Sequence, residues 1–470
     1  MLARRVRLSL LGVLLVGATA SAASLPTPRE QALRAIYREL VEINTTDSAG
    51  DCTKAAEAMA ARLRAAGFPA EDVEVVVPPG NPKKGNLVAR LRGSDPRRKP
   101  ILMLAHTDVV EARREDWQRD PFTLFEDDGY FYGRGASDDK AMAAAFVANL
   151  IRYREEGYRP ASDVVLALTA DEEADELTWN GVDYLLKNQR ALVDARIALN
   201  EGAAGRLDSE GRPVRLAVQA GERVFLNYRL EVTDSGGHSS LPRRENAIYR
   251  LAAGLSRLAA FDFPFQLSPV TRAYFEKMAA IEKRARSDDI RAILRDPPDA
   301  AAIARLSAAD PFNNATFRTT CVATMLDAGH ASNALPQRAR ATVNCRILPE
   351  MPIADVTATL TRVVNDEKIR ITPLGNPAGS PTPPLTADLM RAIETTSNQM
   401  WPGVPVVPTL STGATDGRLL NAAGIPTYGL SGMFHDPDGS HAHGLNERIR
   451  VRSLYEGQEF LYRVVKLLSQ

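Results

Sequence analysis

Acidic residues and histidines cluster at five places in the sequence where an apolar run gives way to a loop. The five stretches are HTD at 106–108, SDDK at 137–140, DEE at 171–173, NEG at 200–202 and HAHGLNE at 441–447. Taken singly, each is explained by a hydrogen-bonded loop histidine, a helix cap or a solvated helix start. Taken together, carboxylates brought to one edge of a sheet repel one another unless a cation compensates them. The set therefore predicts a metal site.

The types of ligand indicate two divalent cations. Two histidines, one shared aspartate and two glutamates give each cation an imidazole, a terminal carboxylate and a bridging carboxylate, with a water molecule to complete the coordination. Imidazole and carboxylate ligands without thiolate favour Zn2+, with Mn2+ and Co2+ as alternatives. Asp108 is then expected to hydrogen-bond the free ring nitrogen of His106 and to fix its tautomer. We predict two Zn2+ per subunit, which would activate a water molecule.

The segments between these clusters alternate between helix and strand. Apolar periodicity predicts helices at 29–43 and 53–66, strands at 73–77, 86–92 and 101–106, a helix at 140–156, and strands at 164–170 and 196–200. Such alternation is typical of an α/β fold with a layered, mostly parallel sheet. In these sheets functional groups gather where the strands end, which is where the polar clusters lie.

The character of the sequence changes at Gly221. RVFLNYRLEV at 223–232 and ARATVNCRIL at 339–348 alternate apolar and polar residues, as antiparallel strands with one solvated face do. The other predicted elements are helices at 245–260, between 271 and 307, at 385–400 and at 452–468, and strands at 404–409 and 425–430. We therefore predict a dinuclear-metal catalytic domain at 23–221 and 377–470, interrupted by a smaller α+β lid domain at 222–376.

Residues 1–22 have the layout of a secretory signal peptide. Three arginines precede an apolar run at 8–16, and Ala20, Ser21 and Ala22 form a small-residue cleavage pattern. An N-terminal membrane anchor is the alternative interpretation, and no later run is long and apolar enough to span a bilayer. We expect a periplasmic or secreted protein with no stable membrane span after cleavage.

Charge and cysteine content exclude two further classes of protein. Lys and Arg together number 58, as do Asp and Glu, so the chain lacks the basic field of a nucleic-acid-binding protein. Three cysteines do not make a disulfide scaffold. Cys321 and Cys345 lie in strand-like segments of one region, where they could pair in an oxidising compartment or stay as two free core thiols.

In their order along the chain, the motifs resemble those of the M20 family of metallopeptidases. The resemblance rests on HTDVV, GYFYGRGASDDKA, DEE, NEG, GGHSS and HGLNE, with the loop TGATDGR and the following GIPTYGL as further support. The family includes glutamate carboxypeptidases, carnosinase-like dipeptidases, aminoacylases and succinyl-diaminopimelate desuccinylase. The long segment at 265–318 is similar to that of vacuolar carboxypeptidase-like and N-acyl amino acid hydrolase members.

The resemblance implies a metal-binding role for five residues and a catalytic role for others. The residues that match metal ligands are His106, Asp138, Glu173, Glu201 and His443. Asp138 matches the bridging ligand, and Asp139 and His441 match less well than their neighbours. Glu172 matches the general base, and Asp108 matches the partner that orients the first histidine.

The resemblance also assigns residues that contact the substrate. His238 in GGHSS matches a histidine that stabilises the oxyanion, often donated across a dimer interface. Asn333 and Arg346 match a pair that binds a substrate carboxylate, and Thr415 in TGATDGR is assigned to substrate binding. Arg346 lies on the polar face of its strand, where a planar guanidinium suits a carboxylate.

The leading hypothesis is an exported dizinc enzyme, a carboxypeptidase or dipeptidase, that cleaves the amide bond of small peptides with a free C-terminal carboxylate. Hydrolysis of N-acyl amino acids is the alternative, because the same mechanism serves any amide. A periplasmic metal- or peptide-binding protein would keep the ligands but would not need Glu172. A purely structural role for the acids, with no metal, is the third hypothesis. A homodimer is compatible with all of these.

Overall fold

The computed structural model of the protein describes residues 25–174, 178–375, 377 and 379–470. The predicted signal peptide at 1–22 lies outside these residues, so the prediction of export stays a prediction. Within the described ranges, no helix combines the length and the apolar composition that crossing a membrane requires.

The predicted helices are present, with ends that differ by two residues at most, and the described residues contain five further helices that were not predicted. The helices are α1 (Pro28–Glu42), α2 (Cys52–Ala65), α3 (Lys140–Glu155), α4 (Gly181–Asn188), α5 (Arg190–Val193), α6 (Ala247–Ala259), α7 (Pro269–Ile281), α8 (Arg284–Ile293), α9 (Ala300–Ala309), α10 (Pro311–Phe317), α11 (Ile353–Val364), α12 (Ala387–Met400), α13 (Gly417–Ala422) and α14 (Val451–Leu468). Local signals set their starts: Thr27 and Glu30 form a reciprocal capping box on α1, and Asp51 caps α2.

The strands include all those predicted and several short ones that were not. They are β1 (Val73–Val76), β2 (Asn86–Leu91), β3 (Ile101–His106), β4 (Phe125–Asp127), β5 (Tyr130–Tyr132), β6 (Val164–Thr169), β7 (Ile197–Asn200), β8 (Gly205–Leu207), β9 (Pro213–Glu222), β10 (Val224–Thr233), β11 (Gly237–His238), β12 (Thr320–Ala328), β13 (Ala334–Leu335), β14 (Arg338–Ile347), β15 (Arg370–Leu374), β16 (Val406–Ser411), β17 (Thr427–Gly429), β18 (Phe434–His435) and β19 (Arg448–Arg450).

The large sheet confirms the predicted α/β class. Its order is β1-β2-β6-β3-β7-β17-β9-β8-β18, and β16 pairs in parallel with β9. The central neighbours β6, β3, β7 and β17 run parallel to one another. Helices α1, α2, α3 and α14 cover one face and α4, α5 and α13 cover the other. Strands β3 and β6 are buried along their whole length, which explains their unbroken apolar sequences.

The parallel register brings three of the polar clusters to one edge of this sheet. His106, the last residue of β3, is the register partner of Thr169 at the end of β6. The DEE cluster follows β6 directly, and Glu201 follows the last residue of β7. Because neighbouring parallel strands end on the same side, loops distant in sequence meet there.

A second, antiparallel sheet has the order β12-β14-β10-β15. Its apolar face, which includes Leu226 and Tyr228 of β10, packs on α6 and α11. The opposite face carries polar and exposed residues, as the alternating pattern predicted. Cys321 of β12 and Cys345 of β14 are register partners and form a disulfide. Of the two alternatives, a disulfide or two free thiols, the structure therefore contains the disulfide.

The four helices α7–α10 pack at the edge of the large sheet, although the sequence placed them in the domain of the antiparallel sheet. The predicted domain at 222–376 placed them with the antiparallel sheet. In the structure, Phe275 of α7 and Phe317 of α10 belong to one buried cluster with Val407 of β16. Val270, also on α7, belongs to the core of the large sheet. These helices cover β16 at the edge of the large sheet, an edge that would otherwise expose unpaired backbone groups. The exact boundaries of the two domains stay a prediction.

This packing predicts which strands lose protection when the helices are loosened. The Phe275 ring is 1% exposed and lies 5.0 Å from the Phe317 ring. Phe275→Ala should cost about 3 to 5 kcal/mol of local stability. Hydrogen exchange followed by mass spectrometry should then be faster in α7–α10 and in β16, and unchanged in β10 and β14.

Leu360→Ala on α11 is the matched control, because Leu360 is equally buried but belongs to the core of the antiparallel sheet. It should give the opposite exchange pattern. If Phe275→Ala accelerated exchange in the antiparallel sheet and left β16 protected, the assignment of these helices to the large sheet would be wrong.

Candidate metal centre and active site

The carboxylate of Asp138 lies between two imidazoles. Its Oδ1 is 3.0 Å from Nε2 of His106, and its Oδ2 is 3.2 Å from Nε2 of His443. His106 ends β3 and is 2% exposed, whereas His443 lies in the loop before β19 and is largely exposed. His443 has a φ of 62°, which is in the left-handed region. This conformation is uncommon for residues other than glycine, and such residues occur often at functional sites. One carboxylate thus links two histidines that are far apart in sequence.

One glutamate accompanies each histidine. Oε1 of Glu201 is 3.8 Å from Nε2 of His106, and Oε1 of Glu173 is 2.8 Å from Nε2 of His443. Two groups result, each with ligand atoms within 4.8 Å of one another, and both contain Asp138. All five residues predicted as metal ligands are therefore neighbours.

Acidic groups are crowded at this centre, and their pKa values shift accordingly. Burial, and then the negative charge of Asp138, raise the pKa of Glu201 well above its usual value. Hydrogen bonds to Asp138 and Glu173 raise the pKa of His443 to about 10. Burial opposes ionisation of Asp138, but the two imidazoles hold its pKa below the usual range. Negative charge thus exceeds what these side chains neutralise, and the donor set of imidazole nitrogens and carboxylate oxygens fits two divalent cations.

Asp108 orients His106 in a way that differs from the prediction. Nδ1 of His106 is hydrogen-bonded to the backbone oxygen of Asp108 at 3.0 Å, whereas the nearer carboxylate oxygen is 3.6 Å away. The other carboxylate oxygen of Asp108 accepts a hydrogen bond from the backbone N–H of Glu173 at 2.9 Å. The backbone therefore fixes the imidazole, and the side chain connects it to the DEE loop.

Glu172 lies at the same centre without belonging to either group around Asp138. Its carboxylate forms a third group with His106 and Glu173, again with ligand atoms within 4.8 Å of one another. Burial, and then the carboxylates of Asp416 and Glu173, raise the pKa of Glu172 well above its usual value, against the opposing charge of His106. A carboxyl group with a raised pKa beside a metal centre suits proton transfer.

Glu447 holds the loop that carries Asp138, a role the sequence did not reveal. It is fully buried, and its carboxylate accepts hydrogen bonds from Nη1 of Arg134 at 2.7 Å and from the backbone N–H groups of Gly135, Ser137 and Asp138 at 2.8 to 3.0 Å. Arg134 also donates to the backbone oxygen of Gly444, next to His443. The pair thus fastens the two loops together. The sequence feature that could have indicated this role is the position of Glu447 at the end of the HGLNE motif.

A second buried ion pair holds the DEE loop. Nζ of Lys84 contacts the carboxylates of Asp171 and Asp47, and Lys84 and Asp171 are both buried. Asp171 has a left-handed φ of 61°. Asn180 donates to the backbone oxygen of Asp171 and to Oδ1 of Asp416 at 2.7 Å, which joins this loop to the TGATDGR loop. Strand periodicity gave no indication of these partners, since they come from distant segments.

His238 and Asn333 lie together at the short two-stranded pair of β11 and β13. His238 pairs with Ala334 across β11 and β13, and the backbone N–H of Ser239 donates to the backbone oxygen of Asn333 at 3.0 Å. The imidazole of His238 is exposed and contacts Ser240. Among the residues described, no hydrogen bond or ion pair joins His238 or Asn333 to the five clustered ligands. Their predicted roles stay predictions.

Arg346 and Thr415 have different surroundings. The guanidinium of Arg346 lies 4.7 Å over the ring of Phe225, on the polar face of the antiparallel sheet as predicted. The hydroxyl of Thr415 donates to Glu222 and accepts from Asn200 and from the backbone N–H of Gly417. Because these contacts use the hydroxyl fully, Thr415 supports its loop rather than offering that group to a substrate.

Comparison with known proteins identifies the family. Residues 102–467 match the model of "Peptidase family M20/M25/M40". The chain belongs to peptidase family M20. An M20 chain acts as a hydrolase on peptide or amide bonds, which sets aside the non-enzymatic hypotheses.

Relatives of this M20 chain are named either as enzymes that act on N-fatty-acyl amino acids or as carboxypeptidases. It is 30% identical over 391 residues to the N-fatty-acyl-amino acid synthase/hydrolase PM20D1 of Mus musculus, covering 80% of this chain and 75% of that protein. It is 29% identical over 395 residues to the probable carboxypeptidase S-like 2 of Dictyostelium discoideum, covering 81% of this chain and 74% of that protein. The M20 metallo-carboxypeptidase Sso-CP2 from Sulfolobus solfataricus has the same fold, with a TM-score of 0.67, 19% identity and coverage of 93% and 99% of the two chains.

The role of Glu447 is testable by a substitution that changes its charge but hardly its shape. Glu447→Gln leaves Arg134 without its buried partner, and breaking a buried pair costs about 3 to 5 kcal/mol. We expect a lower free energy of unfolding and, in protein that still folds, at least a tenfold weaker affinity for Zn2+, in line with the loss of an outer-shell partner of metal ligands. Chemical denaturation and metal titration measure the two effects.

Glu459→Gln is the matched control, because Glu459 pairs with Arg152 on a partly exposed helix surface. It should change both quantities little. Unchanged metal affinity in Glu447→Gln would mean that the Asp138 loop is held by other contacts.

Proposed function

We propose that this M20 enzyme is an exported dizinc carboxypeptidase or dipeptidase that hydrolyses the amide bond of small peptides with a free C-terminal carboxylate. The observation that carries the proposal is Asp138 between His106 and His443, with Glu201 and Glu173 beside them. Export is supported by the signal-like layout of residues 1–22 in the sequence.

The metal centre would be held by two overlapping sets of side chains. His106, Asp138 and Glu201 would bind one cation, and His443, Asp138 and Glu173 would bind the other. Two cations bound there would supply positive charge that acidifies a water molecule and polarises the amide carbonyl. Zn2+ is the proposed metal because imidazole and carboxylate ligands suit it.

Glu172 would carry the proton through the reaction. Its carboxylate accepts a proton from the attacking water as the water oxygen bonds to the amide carbon. It then donates that proton to the amine nitrogen as the carbon–nitrogen bond breaks. The carboxylate of Glu172 lies within 4.8 Å of the ligand atoms of His106 and Glu173, so it would reach a water molecule held at the centre.

The substrate carboxylate would be bound by Arg346, together with Asn333. Arg346 is held by the ring of Phe225 and presents its planar guanidinium on the polar face of its strand. His238 would stabilise the oxyanion. Since His238 is exposed and, among the described residues, has no hydrogen bond or ion pair to the five ligands, donation from a second copy in a homodimer is part of the proposal.

Hydrolysis of N-acyl amino acids is the second candidate function. It is favoured by the 30% identity to the N-fatty-acyl-amino acid synthase/hydrolase of Mus musculus. Both reactions release an amino acid with a free carboxylate, so the same residues serve either one. Turnover of a mixed library of dipeptides, tripeptides and acyl amino acids, read by mass spectrometry, decides between them.

The proton-transfer role predicts a variant that binds metal but does not turn over. Glu172→Gln preserves shape and removes the proton acceptor, so kcat should fall by about 10²-fold or more. Metal content, measured by mass spectrometry, should stay at the wild-type value because Glu172 lies outside the two groups around Asp138.

Two controls separate this effect from a general loss of structure. Glu201→Gln should lose metal as well as activity, whereas Glu57→Gln on the exposed face of α2 should change neither. Wild-type turnover in Glu172→Gln would contradict the assignment of the proton acceptor.

A further inference from the structure

A cavity of about 240 Å³ opens beside the metal centre, and Asp138 and Glu201 form part of its wall. It extends from these two ligands between α3, the loop after β7 and the segment that contains β18. The described residues that line it come from 137–142, 201–204 and 431–442, and none of them lies on the antiparallel sheet. A group held at the metal centre therefore has direct access to this cavity.

The walls of the cavity are largely apolar and carry two thioethers. Met142 of α3 and Met433 before β18 are both buried, and they line the cavity together with Ala203 and Ala204. Thioether sulfur makes favourable contacts with aromatic rings. An apolar cavity of about 150 Å³ is large enough to hold benzene. An aromatic side chain thus matches both the size and the chemistry of these walls.

Hydrogen bonds fix the loop after β7 against the segment before β18. The hydroxyl of Ser431 donates to the backbone oxygen of Ala203 at 2.8 Å and accepts from the backbone N–H of Met433 at 3.2 Å. The backbone N–H of Gly205 donates to the backbone oxygen of Met433 at 2.7 Å. The hydroxyl of Ser431 is therefore used by the wall itself and is not available to a ligand.

His435 places a polar group on the cavity. It ends β18, and its Nε2 lies 3.4 Å from Oγ of Ser137, which is long for a hydrogen bond. Across the described ranges, this is the one side-chain hydrogen bond of the imidazole. Burial lowers the pKa of His435, so the ring is neutral at neutral pH and has one donor and one acceptor nitrogen. The imidazole thus has hydrogen-bonding capacity left for a ligand.

The inference rests on the proposed function for the direction in which a substrate lies. In that function, Arg346 of the antiparallel sheet binds the carboxylate of the leaving amino acid. Since no described residue of that sheet lines the cavity, the cavity is left for the other side of the scissile bond, the acyl side. We propose that it binds the side chain on the acyl side and prefers an aromatic ring with a hydroxyl group. His435 is the specificity-determining residue that binds this hydroxyl.

A competition assay tests this preference. The Zn2+-loaded enzyme hydrolyses tyrosyl-leucine, phenylalanyl-leucine and alanyl-leucine in one mixture, so the ratios of kcat/KM do not depend on the fraction of active protein. Both aromatic dipeptides should be favoured over alanyl-leucine by roughly 10- to 100-fold, because alanine leaves the cavity unfilled. Tyrosyl-leucine should be favoured over phenylalanyl-leucine about 3- to 10-fold, the effect of one hydrogen bond between neutral groups.

Four variants make the result specific. His435→Leu should abolish the preference for tyrosine over phenylalanine and keep the preference for aromatic residues over alanine. His435→Gln retains a donor and an acceptor and should restore part of the tyrosine preference. Ala204→Leu fills the cavity and should disfavour both aromatic dipeptides about tenfold relative to alanyl-leucine. His330→Leu is the matched control, since His330 is exposed between β12 and β13, and its ratios should equal those of the wild type.

Three results would overturn the inference. One is wild-type enzyme that hydrolyses the three dipeptides equally well, and another is a tyrosine preference that is unchanged in His435→Leu. The third is a preference that follows the C-terminal residue, with leucyl-tyrosine favoured over leucyl-alanine and this advantage lost in Ala204→Leu. That result would mean that the cavity holds the leaving amino acid.

Failure of the proposed function gives a different result. If no peptide or acyl amino acid were hydrolysed, the proposed function would be wrong, and calorimetric titration of the Zn2+-loaded Glu172→Gln protein with the same three dipeptides would still test the inference. Tighter binding of tyrosyl-leucine that is lost on adding His435→Leu would support it, whereas equal affinities for the three dipeptides would overturn it.

Discussion

The carboxylate of Asp138 faces an imidazole on each side, and the rest of the site is arranged around this shared contact. Its two oxygens lie 3.0 and 3.2 Å from the nearest nitrogens of His106 and His443. Glu201 and Glu173 place a further carboxyl group on either side. Such a concentration of acids is unfavourable unless cations compensate it, and this constraint explains why the centre has both imidazoles and carboxylates.

Holding these residues together requires buried charges that never touch a substrate. The Arg134–Glu447 pair fastens the loop of Asp138 to that of His443, and Lys84 with Asp171 holds the loop of Glu172. Buried ion pairs contribute little net stability, and the role of these two is to hold together the loops that they join. The large sheet supplies the frame, since the ends of β3, β6 and β7 lie at one edge. The antiparallel sheet carries Arg346 on its polar face, over the ring of Phe225.

The sequence predicted the frame, and it predicted which acidic and histidine side chains converge, because both leave local signals. Strands β3 and β6 are unbroken apolar runs, and a histidine or an acidic cluster follows each of them directly, so their convergence followed from the parallel arrangement. The alternation in β10 and β14 likewise indicated which face is solvated. These signals depend on spacing along the chain and need no knowledge of distant partners.

The remaining features depend on distant partners and could not be predicted in that way. Periodicity shows that α7 has an apolar face but not that β16 lies under it. His106 is hydrogen-bonded to the backbone oxygen of Asp108, and residue types alone do not predict a contact with the backbone. Thr415 looked available to a substrate, and only the structure shows that Glu222 and Asn200 occupy its hydroxyl. The role of Glu447 emerged for the same reason, from contacts across the fold.

The central claim, that Asp138 bridges two cations, is tested most directly by anomalous diffraction from crystals of the zinc-loaded protein, recorded on both sides of the zinc absorption edge. The account predicts two peaks, both bound by Asp138, one with His106 and Glu201 and the other with His443 and Glu173. A single peak that does not involve Asp138, or no peak at this edge of the sheet, would contradict it.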